Sequence, residues 1–142
     1  MKYITLFITE STSTPLSDKE LEELTKYFRD LTDNCEIIIN NKYGSMGVYF
    51  PDRKTLQDDT WERVGLSNIP HLAISKPSRL KGGFCITIYK KGRWAASEFP
   101  DPRRAFDENG KPKYSTVEDL IKIFDKNIKN GKWKDDLDIQ LK

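Results

Sequence analysis

The sequence predicts a single α+β domain spanning residues 1–142, in which a mainly antiparallel sheet carries two amphipathic helices packed on one face. Three observations predict it. Two segments place apolar residues at helical spacing behind capping sequences, several short β-rich runs are separated by turn residues, and 142 residues are enough for one core but not for two. Tyr3 to Ile8 is the first β-rich run, and because its apolar residues do not alternate cleanly it reads as a strand covered on both sides. Ser11-Thr12-Ser13-Thr14-Pro15 breaks it.

Ser17 with Glu20 forms a capping box, with Leu16 and Leu21 placed as a hydrophobic staple around it. Leu21, Leu24, Phe28 and Leu31 follow on one stripe, so residues 18–31 read as a helix, with acids in its first half and bases in its second. Cys35 to Ile39 and Met46 to Phe50 read as a hairpin around Asn40-Asn41-Lys42-Tyr43-Gly44. Residues 51–70, bracketed by Pro51 and Pro70, read as a long irregular connection with room for a short helix at Asp58-Asp59-Thr60-Trp61-Glu62. His71 to Ser75 reads as a short strand and Lys76 to Gly83 as a loop.

Phe84 to Tyr89, the turn Lys90-Lys91-Gly92, and Arg93 to Phe99 form a second antiparallel hairpin ended by Pro100 and Pro102. An Asn109-Gly110 turn follows. Ser115 with Glu118 then reads as a second capping box, opening a helix with Val117, Leu120, Ile121, Phe124 and Ile128 on one side, i,i+4 pairs Glu118–Lys122 and Asp125–Lys129, and Gly131 as its stop. Trp133 and the alternating Leu137-Asp138-Ile139-Gln140-Leu141 suggest a last short strand.

The hydrophobic fraction of 37% and aromatic fraction of 11% suit a globular core, and a mean hydropathy of −0.68 excludes an integral membrane protein. The apolar run at the N-terminus is too short for a secretory signal, so a cytoplasmic location is expected. Cys35 and Cys85 have neither a disulfide-framework nor a metal spacing, and read as buried free thiols, with a pairing across adjacent strands left open. The formal net charge of +2 hides an uneven distribution. Residues 1–71 carry a balance of −4 (8 basic, 12 acidic), residues 72–114 one of +6 (10 basic, 4 acidic), and residues 115–142 are neutral.

Chemistry-bearing motifs are sparse. His71 is the single histidine and lacks a His or Cys at helical spacing, so no zinc site is expected, and Asp58, Asp59 and Glu62 lack the glycine and alternating acids of a calcium loop. A catalytic His71, or a nuclease built on Glu36 and Asp52-Arg53-Lys54, would give a small hydrolase or nuclease as a third reading. Lys81-Gly82-Gly83 lacks the length and the trailing Lys-Ser/Thr of a phosphate loop. No cofactor and no metal is therefore assigned, and no catalytic residue is named.

Two binding readings remain. Lys90, Lys91 and Arg93 at a hairpin tip with Tyr89 and Trp94, followed by Arg103, Arg104 and Phe106, could meet phosphates and stack on unpaired bases. Against a nucleic-acid partner, nothing matches an aromatic RNA-binding motif and the pI of about 8.4 lies below the usual basic footprint. The favoured reading is a non-enzymatic inhibitor or adaptor, immunity-like or anti-defence-like, that binds another protein through Trp61 and the basic aromatic hairpin. Trp94, Glu98-Phe99-Pro100 and Asn130-Gly131-Lys132-Trp133 resemble in outline a broad group of bacterial toxin-immunity proteins. The likeness is confined to the C-terminal part of the chain and carries no residue roles.

Overall fold

The capping box at Ser17 forms as the sequence predicts. In the computed structural model of the chain, which describes residues 13–40, 44–51, 69–90 and 97–142, the Glu20 amide donates to the Ser17 hydroxyl at 3.2 Å and the Ser17 amide to the Glu20 carboxylate at 2.8 Å. The helix it opens, α1, spans Asp18–Leu31 and buries Leu24, Phe28 and Leu31. Thr32 closes it, sending its amide to the Phe28 carbonyl. The Thr32 hydroxyl donates to the Gln140 carbonyl at 2.6 Å and ties the C-terminal residues across the end of α1.

Among the described residues the strands are β1 Ser13–Thr14, β2 Glu36–Asn40, β3 Ser45–Tyr49, β4 His71–Pro77, β5 Cys85–Tyr89 and β6 Ser97–Phe99. The sheet runs β2-β3-β4-β5-β6, every pairing antiparallel, with β1 beside the far end of β4. Gly44 enters β3 at φ +65°, where its carbonyl accepts from Leu16 at 3.0 Å and a Cβ would collide with Pro15.

Alternation sorts the side chains of this sheet into two faces. Met46, Val48, Leu72, Ile74, Ile86 and Ile88 are buried on one of them, with Ile37 and Phe99 partly covered beside them. Onto this face pack α1 and a second helix, α2, Val117–Phe124, which buries Val117, Leu120, Ile123 and Phe124. Phe28 and Phe124 meet edge to face at 5.0 Å, and Phe50 reaches Phe28 at 6.2 Å from the end of β3. The α+β architecture with both long helices on one face is thus the observed one.

Several details differ from the sequence reading. The second capping box sits one residue later: Thr116 accepts from the Asp119 amide at 3.1 Å, and Asp119 accepts from the Ser115 and Thr116 amides. Both Ser-x-x-Glu and Thr-x-x-Asp satisfy the pattern, and the helix takes the frame that buries Val117. Lys76 and Pro77 belong to β4, which β1 extends, and Ser78–Leu80 is a single 3₁₀ turn. After Phe124 the helix widens into a π-helical turn, Asp125–Lys129, where the Asp125–Lys129 ion pair forms at 3.2 Å.

The expected last strand is absent. Trp133–Asp136 is a short helix, α3, and the Leu137–Leu141 alternation buries Leu137 and Ile139 through an irregular segment that turns at Asp138 with φ +52°. Cys35, just before β2, and Cys85, the first residue of β5, are buried and free, and β3 and β4 lie between those two strands. The strand read at Tyr3–Ile8 and the connection 52–68 lie outside the described residues. Among the described residues no helix is long and apolar enough to cross a membrane.

Two measurements check this core. Phe28→Ala should cost about 3–5 kcal/mol in chemical denaturation, the scale of a large buried aromatic removed from a filled core. Thr116→Ala should cost about 1 kcal/mol and Ser115→Ala almost nothing, because only the former removes a cap acceptor; the reverse order would place the helix start at Ser115.

Candidate functional site

Of the residues proposed from sequence as a binding patch, Trp61, Lys91, Arg93 and Trp94 lie outside the described residues. The structure separates the other three. Lys90 shares the helix-side parity of Ile86 and Ile88 and pairs with Asp136 of α3 at 3.4 Å. Arg103 and Arg104 sit on the 3₁₀ turn Pro102–Arg104, next to Ala105, which packs with Leu80 and Cys85. That is the opposite end of β5 from Lys90, roughly 14 Å along a strand of this length.

Much of the local positive charge is also answered by carboxylates. Lys76 reaches Glu20 at 2.7 Å, Arg79 reaches Glu98 at 3.0 Å and Arg103 reaches Asp101 at 3.4 Å. The Lys76–Glu20 pair is the sheltered one, both side chains being less than a fifth exposed. Burial pushes the Glu20 carboxyl up, but the Lys76 ammonium and the Ser17 amide overcome it and hold the group below its ordinary value. Arg104, Lys111 and Lys113 are exposed and form no ion pair among the described residues.

The sheet face turned away from the helices carries a feature that residue-by-residue reading missed. The register pairs Glu36 with Tyr49, Tyr49 with His71, and His71 with Tyr89, so these four side chains stand in one row across β2, β3, β4 and β5. Tyr49 and His71 stack with ring centroids 4.4 Å apart at 18°, and His71 and Tyr89 at 4.4 Å and 12°. Rings packed face to face at about the strand spacing must stand on edge, so their polar rims point outward.

The neighbouring row is Gly47, Ala73 and Thr87. Its small side chains leave room for the rings: a Cβ on Gly47 would lie 3.0 Å from the Tyr49 ring. Among the described residues the charged groups of this face are Glu36 at one edge and the Arg79–Glu98 pair near the other.

The chemical state of His71 follows from its neighbour. Nδ1 lies 2.8 Å from the Ile69 carbonyl oxygen. A carbonyl only accepts, so Nδ1 carries the proton and Nε2 of the neutral ring keeps its lone pair. Among the described residues Nε2 has no hydrogen-bond partner. Burial lowers the His71 pKa, while the Ile69 contact works weakly the other way, and burial together with Tyr89 raises that of Tyr49. At neutral pH the row therefore presents two phenols flanking a neutral acceptor.

No carboxylate hydrogen-bonds His71 among the described residues. Nor does any group of three or more His, Cys, Asp or Glu there gather as a metal site. The sequence did hold one signal for the row: Tyr49, His71 and Tyr89 each adjoin a buried residue, Val48, Leu72 and Ile88. Alternation alone puts them opposite the core. Their alignment across strands depended on the β3–β4 pairing, which the long connection left open. No protein-family model, curated protein or solved structure matches the chain.

His71 being the only histidine, its linkage to stability is readable. Its folded pKa lies below the ordinary value of 6.5, so on acidification the unfolded chain takes up this proton first. The contribution is fully present above pH 6.5 and is lost as the pH falls toward the folded value. Urea denaturation from pH 7.5 to 5.5 should show stability declining in that window, and His71→Phe should flatten the decline; an unchanged slope in the variant would assign the effect elsewhere.

Proposed function

We propose that this protein is a non-enzymatic inhibitor or adaptor, of the immunity or anti-defence type, that works by protein–protein contact, and that its docking surface is the sheet face bearing Tyr49, His71 and Tyr89. The observation that carries the reading is the half-buried aromatic row itself. Tyrosine is enriched where interfaces concentrate their binding energy, because it contributes a large rigid surface with a polar rim. The rings hold one another upright, so little side-chain freedom remains to be lost on binding.

Charge favours a protein over a nucleic acid on this face. Among the described residues its ionic groups are Glu36 and an arginine already paired with Glu98, and phosphates need an excess of positive charge. A second reading draws on the other end of the sheet. There Arg104, Lys111 and Lys113, with Lys81 over the Phe106 ring at 5.9 Å, form an exposed basic group suited to an anionic partner.

The two readings separate experimentally. The tagged chain, exposed to extract from its native cell, should retain a specific protein, and Tyr49→Ala with Tyr89→Ala should cut retention at least tenfold while circular dichroism stays unchanged, given hot-spot losses of about 2 kcal/mol per anchor. Retention unaffected by the double variant would remove the sheet face from consideration. Steeply salt-dependent oligonucleotide binding abolished by Arg103→Glu with Arg104→Glu would shift the assignment to the basic end.

A further inference from the structure

Resting on that docking surface, we infer that the Glu36–Tyr49–His71–Tyr89 row is a receptor for an arginine side chain of the partner, with the guanidinium seated between Tyr49 and Glu36. The stacking order supplies the geometry. His71 covers one face of the Tyr49 ring and is itself covered on its far side by Tyr89. The other face of Tyr49 therefore looks across β2, where register puts Glu36 directly opposite. A flat cation laid on that ring face meets the negative side of its quadrupole and a carboxylate together.

Nothing among the described residues already fills this role. Glu36 forms no ion pair there, and the cations beside Cys35 are turned elsewhere: Arg29 to the Cys35 carbonyl at 3.1 Å and Lys142 to Asp33 at 3.4 Å. The row's remaining polar atoms suit a donor-rich ligand. His71 spends its proton on Ile69 and offers Nε2 as an acceptor, and each phenol oxygen has lone pairs to share. Guanidinium carries five donors and no acceptor, which is the complement of such a rim. Arginine is favoured over lysine because a planar group can stack on Tyr49 and still direct paired N–H groups at Glu36.

The test uses the full chain with a tetra-arginine peptide as probe and tetra-glutamate as control, followed through the ring resonances of Tyr49 and His71. Tetra-arginine should shift both resonances saturably and tetra-glutamate neither, and Glu36→Gln, which preserves the strand, should weaken the titration roughly fivefold, the scale of one exposed charge pair. Resonances unmoved by tetra-arginine, or a titration indifferent to Glu36→Gln, would overturn the inference. Loss of the retained partner in the Tyr49→Ala, Tyr89→Ala protein would still uphold the docking surface, so the two failures are distinguishable.

Discussion

Phe28 is the side chain on which the arrangement of this domain depends. It is wholly buried on α1, meets Phe124 of α2 edge to face, and touches Phe50 where β3 ends. One ring thus joins both helices to the sheet. Because the helices must share it, they lie on the same side, and the rows containing Val48, Leu72, Ile74, Ile86 and Ile88 are the ones they cover. The opposite rows are left to other uses. The candidate site is therefore a consequence of where the core was built, since Tyr49, His71 and Tyr89 occupy the alternate positions of the same strands.

Electrostatics reinforces that division. Glu20 belongs at once to the α1 capping box and to a sheltered ion pair with Lys76, so it anchors the start of the helix onto β4. Lys90 pairs with Asp136 and pulls toward α3, away from the aromatic row. Among its described residues, what looks along the chain like a basic segment resolves in space into ion pairs plus a small exposed group at one end of the sheet. Local charge density in a sequence is a weak guide to a field when so many acids lie within reach from other elements.

The aromatic row shows how a sheet concentrates chemistry that no linear motif records. Each ring is unremarkable alone, half-buried on a strand that also supplies core residues. Register brings three of them into contact, the Ile69 carbonyl selects the tautomer of the middle one, and the small row of Gly47, Ala73 and Thr87 makes space for their stacking. The result is a rim of neutral donors and acceptors with Glu36 at its end, the surface proposed above as the docking site.

Local signals in the sequence were sufficient for α1, because its cap, staple and stripe all lie within the sixteen residues from Leu16 to Leu31, and for the β2–β3 hairpin and the alternation that fills the core. They placed the second helix but missed its cap by one residue, since two capping patterns overlap one residue apart and the chain uses Thr116 with Asp119. They also mistook the alternating C-terminal residues for a strand, because alternation reports which side chains are buried and not whether a neighbouring strand is present to pair. The candidate site was the least legible part: its rings come from β3, β4 and β5, and their alignment is a long-range fact. By itself the sequence determined α1, the core of α2, the β2–β3 hairpin and the burial period of the strands, since those arise from neighbours in the chain. The tertiary structure decided which strands pair and in what register, and with that which charges cancel and which rings meet, because such contacts are made between residues the chain holds far apart.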